Sequence, residues 1–153
     1  MQALENRIPP PIVTALFGLL MWLTARYTPG LAPANLVRVL VALLVLTIGV
    51  FFSVVGVLSF RQAQTTVNPL KPETASALVR SGIYQYSRNP MYVGFALVLL
   101  AWACYLASLF ALFGVLGFVL YMNRFQIRPE ERALITLFGS EYQVYQTQVR
   151  RWL

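Results

Sequence analysis

Gly82-Ile-Tyr-Gln-Tyr-Ser-Arg-Asn-Pro-Met-Tyr-Val-Gly94 is a polar cassette that runs straight into a hydrophobic stretch of membrane length. A simple membrane anchor has no use for a glycine, an arginine, an Asn-Pro step and three tyrosines at the doorway of a spanning helix. A pocket that holds a polar cofactor beside lipid does. The competing reading is a plain interfacial belt, where tyrosine and arginine collect at membrane boundaries. Pro90 in the first turn of the following helix leaves neighbouring N–H groups unpaired, and such an end attracts a carboxylate or phosphate. Gly94 lets something approach the backbone closely. Tyr84, Tyr86 and Tyr92 supply flat faces with polar tips, suited to an adenine or a cation.

The runs around this cassette set the fold class. Of 153 residues, 58% are hydrophobic and 11% charged, whereas a soluble domain carries roughly a quarter charged residues. The expectation is an all-α integral membrane protein, a single domain over 1–153, with about four transmembrane helices of ~20 residues. The spans fall at 11–27, 36–60, 91–109 and 110–125. Gly49 and Gly56 lie on nearly the same face of the second span and favour close helix packing. Between spans two and three, 65–69 reads as extended or turn-like, and 72–80 as a short helix with Pro at its start and Gly82 past its end. After the last span the chain is amphipathic on the cytoplasmic side. Pro129 with Glu130 and Glu131 starts one helix and Gly139 ends it. Ser140 with Gln143 forms a capping box for the next.

Charge placement gives the topology. With a cytoplasmic N-terminus, the inside segments hold Arg7, Arg61, Lys71, Arg80, Arg88, Arg124, Arg128, Arg132, Arg150 and Arg151, and the outside holds Arg26 and Arg38. Ten against two is a strong positive-inside bias, with both termini cytoplasmic. The net charge of +7 is therefore topological; no basic face suited to nucleic acid forms. With no histidine, no aspartate and the lone Cys104, the chain offers no His/Cys metal site and no histidine base. No glycine-rich dinucleotide or P-loop pattern is present.

The second polar cluster is Arg128-Pro-Glu-Glu131. Adjacent helical residues point ~100° apart, so one glutamate at most is expected to face a given pocket, binding hydroxyls or balancing a cation. The alternative is capping of a helix start. Arg124 and Arg128, flanking Gln126, would hold an anionic headgroup or serve as snorkelling anchors.

Together the clusters resemble the isoprenylcysteine carboxyl methyltransferase and phospholipid methyltransferase superfamily. The likeness lies in Leu78-Val79-x-x-Gly82-x-Tyr84-x-x-x-Arg88-Asn89-Pro90-x-Tyr92-x-Gly94 and in Glu130-Glu131-x-x-Leu134-x-x-x-Phe138-Gly139-x-x-Tyr142-x-x-Tyr145. It covers about 60–153; the first two spans match only in kind. The resemblance implies S-adenosylmethionine as cofactor, held by regions 76–94 and 126–153. Its contacts would be Leu78, Val79, Tyr84, Asn89, Pro90, Met91, Tyr92 and Glu130. It implies a lipophilic or amphipathic small-molecule substrate reached from the membrane lipids, with Arg124, Gln126 and Arg128 as substrate contacts. No residue is assigned a catalytic role. Two positions depart from the family: Asn89 stands where histidine is usual, and Gln126 where the prenylcysteine enzymes have arginine. The rival functions are a sterol-reductase-like NADPH enzyme and a non-catalytic membrane adaptor.

Overall fold

The computed structural model describes residues 5–31, 34–64, 70 and 74–153. Among the described residues the regular structure is entirely helical. Helix α1 spans Pro10–Tyr27, with proline in its first turn, and α2 spans Asn35–Gln62. α3 spans Pro90–Leu106 and α4 Leu112–Tyr121. A π-helical turn, Met122–Ile127, leads into α5, Arg128–Phe138, and α6 covers Ser140–Gln148. Among the described residues one helix, α2, is long and apolar enough to cross a membrane by itself. At 1.5 Å per residue its 28 residues run about 42 Å, against a hydrocarbon core of ~30 Å. Only 17% of its most apolar window is buried, so α2 is not the interior helix of a soluble fold.

Small residues decide how the helices meet. A Cβ on Gly49 would lie 2.9 Å from the carbonyl oxygen of Gly94, and one on Gly56 would lie 2.6 Å from Met91 Cγ. The expected glycine face of α2 is thus its contact with α3. Gly94 completes the same crossing: a Cβ there would collide with Ser53 Oγ and sit 2.6 Å from Gly49 O. The close approach expected at Gly94 is thus made by another helix. On the other side, Gly117 admits Phe17 of α1 against α4, and Phe118 meets the Phe17 ring edge-on. Met21, Phe118, Met122 and Ile127 are fully buried.

The helices alternate in direction. The N–H of Asn6, ahead of α1, donates to Phe125 O past the end of α4. Glu5 pairs with Arg124 at 2.9 Å and also with Arg132, and these two arginines hold its carboxyl below the usual range. At the opposite end, the Leu31 N–H donates to Ala107 O at 2.7 Å. There Ala107 takes a left-handed conformation (φ 49°) that stops α3 three residues earlier than the hydrophobic run suggests.

Further expectations change. The described part of 72–80 is not a helix: 75–80 is irregular, and it is held by burial of Val79 with Ile83 and Tyr84. Residues 65–69 and 71–73, with the turn reading and the helix start placed on them, lie outside the described residues. Pro129, Glu130 and Glu131 do stand in the first turn of α5, as expected, but no break precedes it, because the backbone stays helical from α4 through Ile127 (φ −67°, ψ −47°) into α5. Proline removes an N–H and crowds the carbonyl four residues back; the wider π turn just before it absorbs both. Glu130 and Glu131 therefore do not cap a free helix end. Gly139 (φ 53°) ends α5 as expected, but it is itself the N-cap of α6, and no Ser140 side-chain cap forms.

Candidate functional site

The N-terminal end of α3 is built by a tight sequence of turns. Gly82, at φ 61°, opens the 3₁₀ turn Gly82–Gln85, which drives Ile83 and Tyr84 inward. Ser87, fully buried, accepts from the Asn89 N–H at 3.1 Å and sets the entry to α3. One turn into α3, the Tyr92 hydroxyl donates to Glu130 Oε1 at 2.5 Å, linking residues 38 apart in sequence. Gln126, in the π turn, donates its Nε2 to the same oxygen at 2.6 Å.

Burial dominates at Glu130 and pushes its pKa up to about 7. The hydrogen bonds from Gln126 and Tyr92 act in the opposite direction, and the charge of Glu131 adds a further rise. Among the described residues no hydrogen bond reaches Oε2. Burial likewise raises Tyr84 and Tyr142, and pushes Tyr145 up to about 12.

Glu131 has a different task. Its carboxylate takes Arg88 at 2.9 Å and Arg151 at 2.6 Å. Arg88 also donates to Gln146 O, and its own N–H donates to Arg150 O. Asn89 Nδ2 donates to Arg151 O at 2.9 Å. The C-terminal residues are thereby laced onto the cassette, while the Tyr145 hydroxyl, donating to Tyr84 O at 2.7 Å, fixes α6 beside it.

These contacts enclose a cleft of about 90 Å³. It gathers Leu78, Val79, Tyr84, Asn89, Met91, Tyr92 and Glu130, seven of the eight expected cofactor contacts. Pro90 is buried but does not line it, and Tyr86 stands exposed outside. Of the expected substrate contacts, Gln126 is buried against Glu130, Arg124 is engaged by Glu5, and Arg128 is exposed and does not line the cleft. Sequence reasoning missed Arg88, which lines the cleft with an Nε that meets no acceptor among the described residues. It also missed Phe60 as a wall.

Both Glu130 and Glu131 line the cleft, where one at most was expected, but Glu131 is taken up by Arg88 and Arg151. The chemistry of this lining suits a cationic, hydroxyl-bearing molecule with a flat ring: one carboxylate outside any ion pair, several tyrosines and an arginine N–H. Space is the constraint. Small-molecule pockets run from about 300 Å³ upward, so a nucleoside-sized ligand enters only when a wall yields. The irregular 75–80 strip is the wall without helical hydrogen bonding.

The pattern of the family described as phospholipid methyltransferase matches residues 37–141. An uncharacterised protein of Haemophilus influenzae is 48% identical over 63 residues, which is 41% of this chain and the whole of that relative. No solved structure matches.

Proposed function

This chain belongs to the phospholipid methyltransferase family, and from that membership we propose an integral-membrane enzyme that transfers a methyl group from S-adenosylmethionine. The acceptor is a lipophilic or amphipathic small molecule, as for the isoprenylcysteine carboxyl methyltransferases, met at the cytoplasmic face. α1 to α4 are the four spans of one domain, with both termini inside. The alternating helix directions and the contacts of Glu5 with Arg124 and Arg132 support that arrangement.

One observation carries the reading. Tyr92 and Glu130, from separate polar clusters, meet at 2.5 Å on a cleft that also collects Leu78, Val79, Tyr84, Asn89 and Met91. When bound, the cofactor supplies an electrophilic methyl group on a sulfonium. Tyr92 and Gln126 hold the Glu130 carboxylate in one orientation, so its charge and second oxygen face a cation or ribose hydroxyls. Tyr84 and Tyr142 offer ring faces, Arg88 offers an N–H to a carboxylate, and Phe60 with Leu134 excludes water. In-line displacement depends on alignment and dryness, and a carboxylate or thiolate acceptor needs no base. The absence of histidine is compatible with that. Asn89 binds rather than exchanges protons, and its amide already anchors the C-terminal strap.

Calorimetric titration of detergent-purified protein with S-adenosylhomocysteine and, separately, NADPH tests the function. Binding of the first alone supports the methyltransferase. Binding of NADPH alone makes it a reductase, and binding of neither an adaptor.

A further inference from the structure

At the opposite end of the molecule, Arg38 and Ser108 line one cleft of about 240 Å³ between α2, α3 and the start of α4. Its other walls are apolar, among them Val37, Val41, Leu109 and Leu112. Arg38 Nε and Ser108 Oγ are both shielded from solvent, and neither meets a hydrogen-bond partner among the described residues. Ser108 is 5% exposed. A shielded polar group left unpaired is costly, so two of different kinds lining one cleft point to an absent ligand with acceptor oxygens.

The chain cannot supply the counter-charge. No acidic residue occurs between Glu5 and Glu73, nor between Glu73 and Glu130. Arg38 lies 23 residues, or about 35 Å, along the same helix from Arg61. Given the four-span reading above, on which this inference rests, that separation puts Arg38 at the non-cytoplasmic headgroup level. The guanidinium also lies 5.3 Å over the Tyr105 ring. Tyr105 in turn lines a second, larger groove of about 640 Å³ between α1, α2 and α3, walled almost wholly by apolar side chains.

We infer that Arg38 and Ser108 form a binding site for the phosphodiester of an anionic phospholipid of the non-cytoplasmic leaflet, with acyl chain on the apolar walls. Arg38 pairs with the phosphate and Ser108 donates to it. A zwitterionic headgroup is disfavoured because no acid at this end accepts its ammonium. This site lies across the bilayer from Tyr92 and Glu130 and takes no part in the reaction.

Cys104 is the chain's only cysteine and lines this same cleft, so its alkylation rate reports occupancy. The full chain in detergent is treated with N-ethylmaleimide in the presence of dioleoylphosphatidylglycerol, dioleoylphosphatidylcholine or inorganic phosphate. Phosphatidylglycerol slows alkylation at least fivefold and the other two do so less than twofold. Arg38→Gln abolishes the protection, Ser108→Ala weakens it, and Arg38→Lys retains part. Arg61→Gln, at the far end of α2, leaves it intact. Equal protection by phosphatidylcholine, protection by inorganic phosphate alone, or full protection of Arg38→Gln each overturns the proposal. Retained S-adenosylhomocysteine binding certifies that the variants are folded. Topology is scored separately: Asn35→Cys in a Cys104→Ala background is labelled by an impermeant maleimide from outside intact cells. Failure there sinks the four-span orientation and leaves the lipid result to be read by itself.

Discussion

Replacing Gln126 with leucine removes one of two hydrogen bonds to Glu130 Oε1, made at 2.6 Å, while keeping similar bulk. That bond favours the ionised carboxylate, so its loss raises the pKa. A hydrogen bond to a charged group contributes about 1.5–3 kcal/mol, and one pKa unit corresponds to about 1.4 kcal/mol. The midpoint therefore moves up from about 7 by about one unit or more. At pH 7 the ionised fraction falls from about half to about a tenth. If Glu130 faces a sulfonium, S-adenosylmethionine affinity at pH 7 drops roughly fivefold in the variant and converges with wild type near pH 9. The chain has no histidine to confuse the titration, and burial keeps Tyr84, Tyr142 and Tyr145 protonated across it. The assay is a calorimetric affinity series from pH 5.5 to 9, run in parallel with S-adenosylhomocysteine, which lacks the sulfonium charge. In wild type the sulfonium ligand gains about tenfold between pH 6 and 8 and the thioether much less. The same pH dependence for both ligands, or an unmoved midpoint in Gln126→Leu, refutes the electrostatic role of Glu130.

Other consequences concern the frame of the site. Glu131→Gln leaves the partly buried Arg88 and Arg151 without their carboxylate. It should cost roughly 3 kcal/mol in detergent unfolding titrations; a change under about 1 kcal/mol would contradict the strap. Gly94→Leu forces α3 off α2, because the nearest atoms include the Gly49 carbonyl and the Ser53 N–H. It should lower stability by about 1–3 kcal/mol or more, whereas Gly18→Ala, whose nearest neighbour is 3.8 Å away, is tolerated. If the 75–80 strip yields to admit cofactor and then closes over it, amides of 74–84 exchange more slowly with S-adenosylhomocysteine bound. Unchanged exchange would place the ligand elsewhere.

Much of this was legible in the sequence, for identifiable reasons. Proline starts and polar ends fixed α1 and α3 closely: 11–27 against Pro10–Tyr27, and a start at 91 against Pro90. The end of α3 was not legible, because Ala107 turns left-handed with no glycine or charge to mark it. Pro129 with Glu130 and Glu131 marked the first turn of α5, but the π turn that joins it to α4 without a break has no sequence signature. Residues 75–80 carry helix-compatible spacing, yet they serve as an irregular wall set by the burial of Val79. Tyr92 and Glu130 were readable as members of two motifs. The ion pairs of Glu131 were not, since Arg88 lies 43 residues away in sequence and Arg151 lies beyond both motifs. Gly94 belonged to helix packing, which a single sequence does not distinguish from close approach by a ligand.

The most direct test of the central claim is photolabelling with an azido derivative of S-adenosylhomocysteine, followed by peptide mapping. The account predicts adducts on both 78–92 and 130–145, blocked by excess S-adenosylmethionine and lost together in Glu130→Ala. Adducts confined to one segment, or competed by NADPH and not by S-adenosylmethionine, would contradict it.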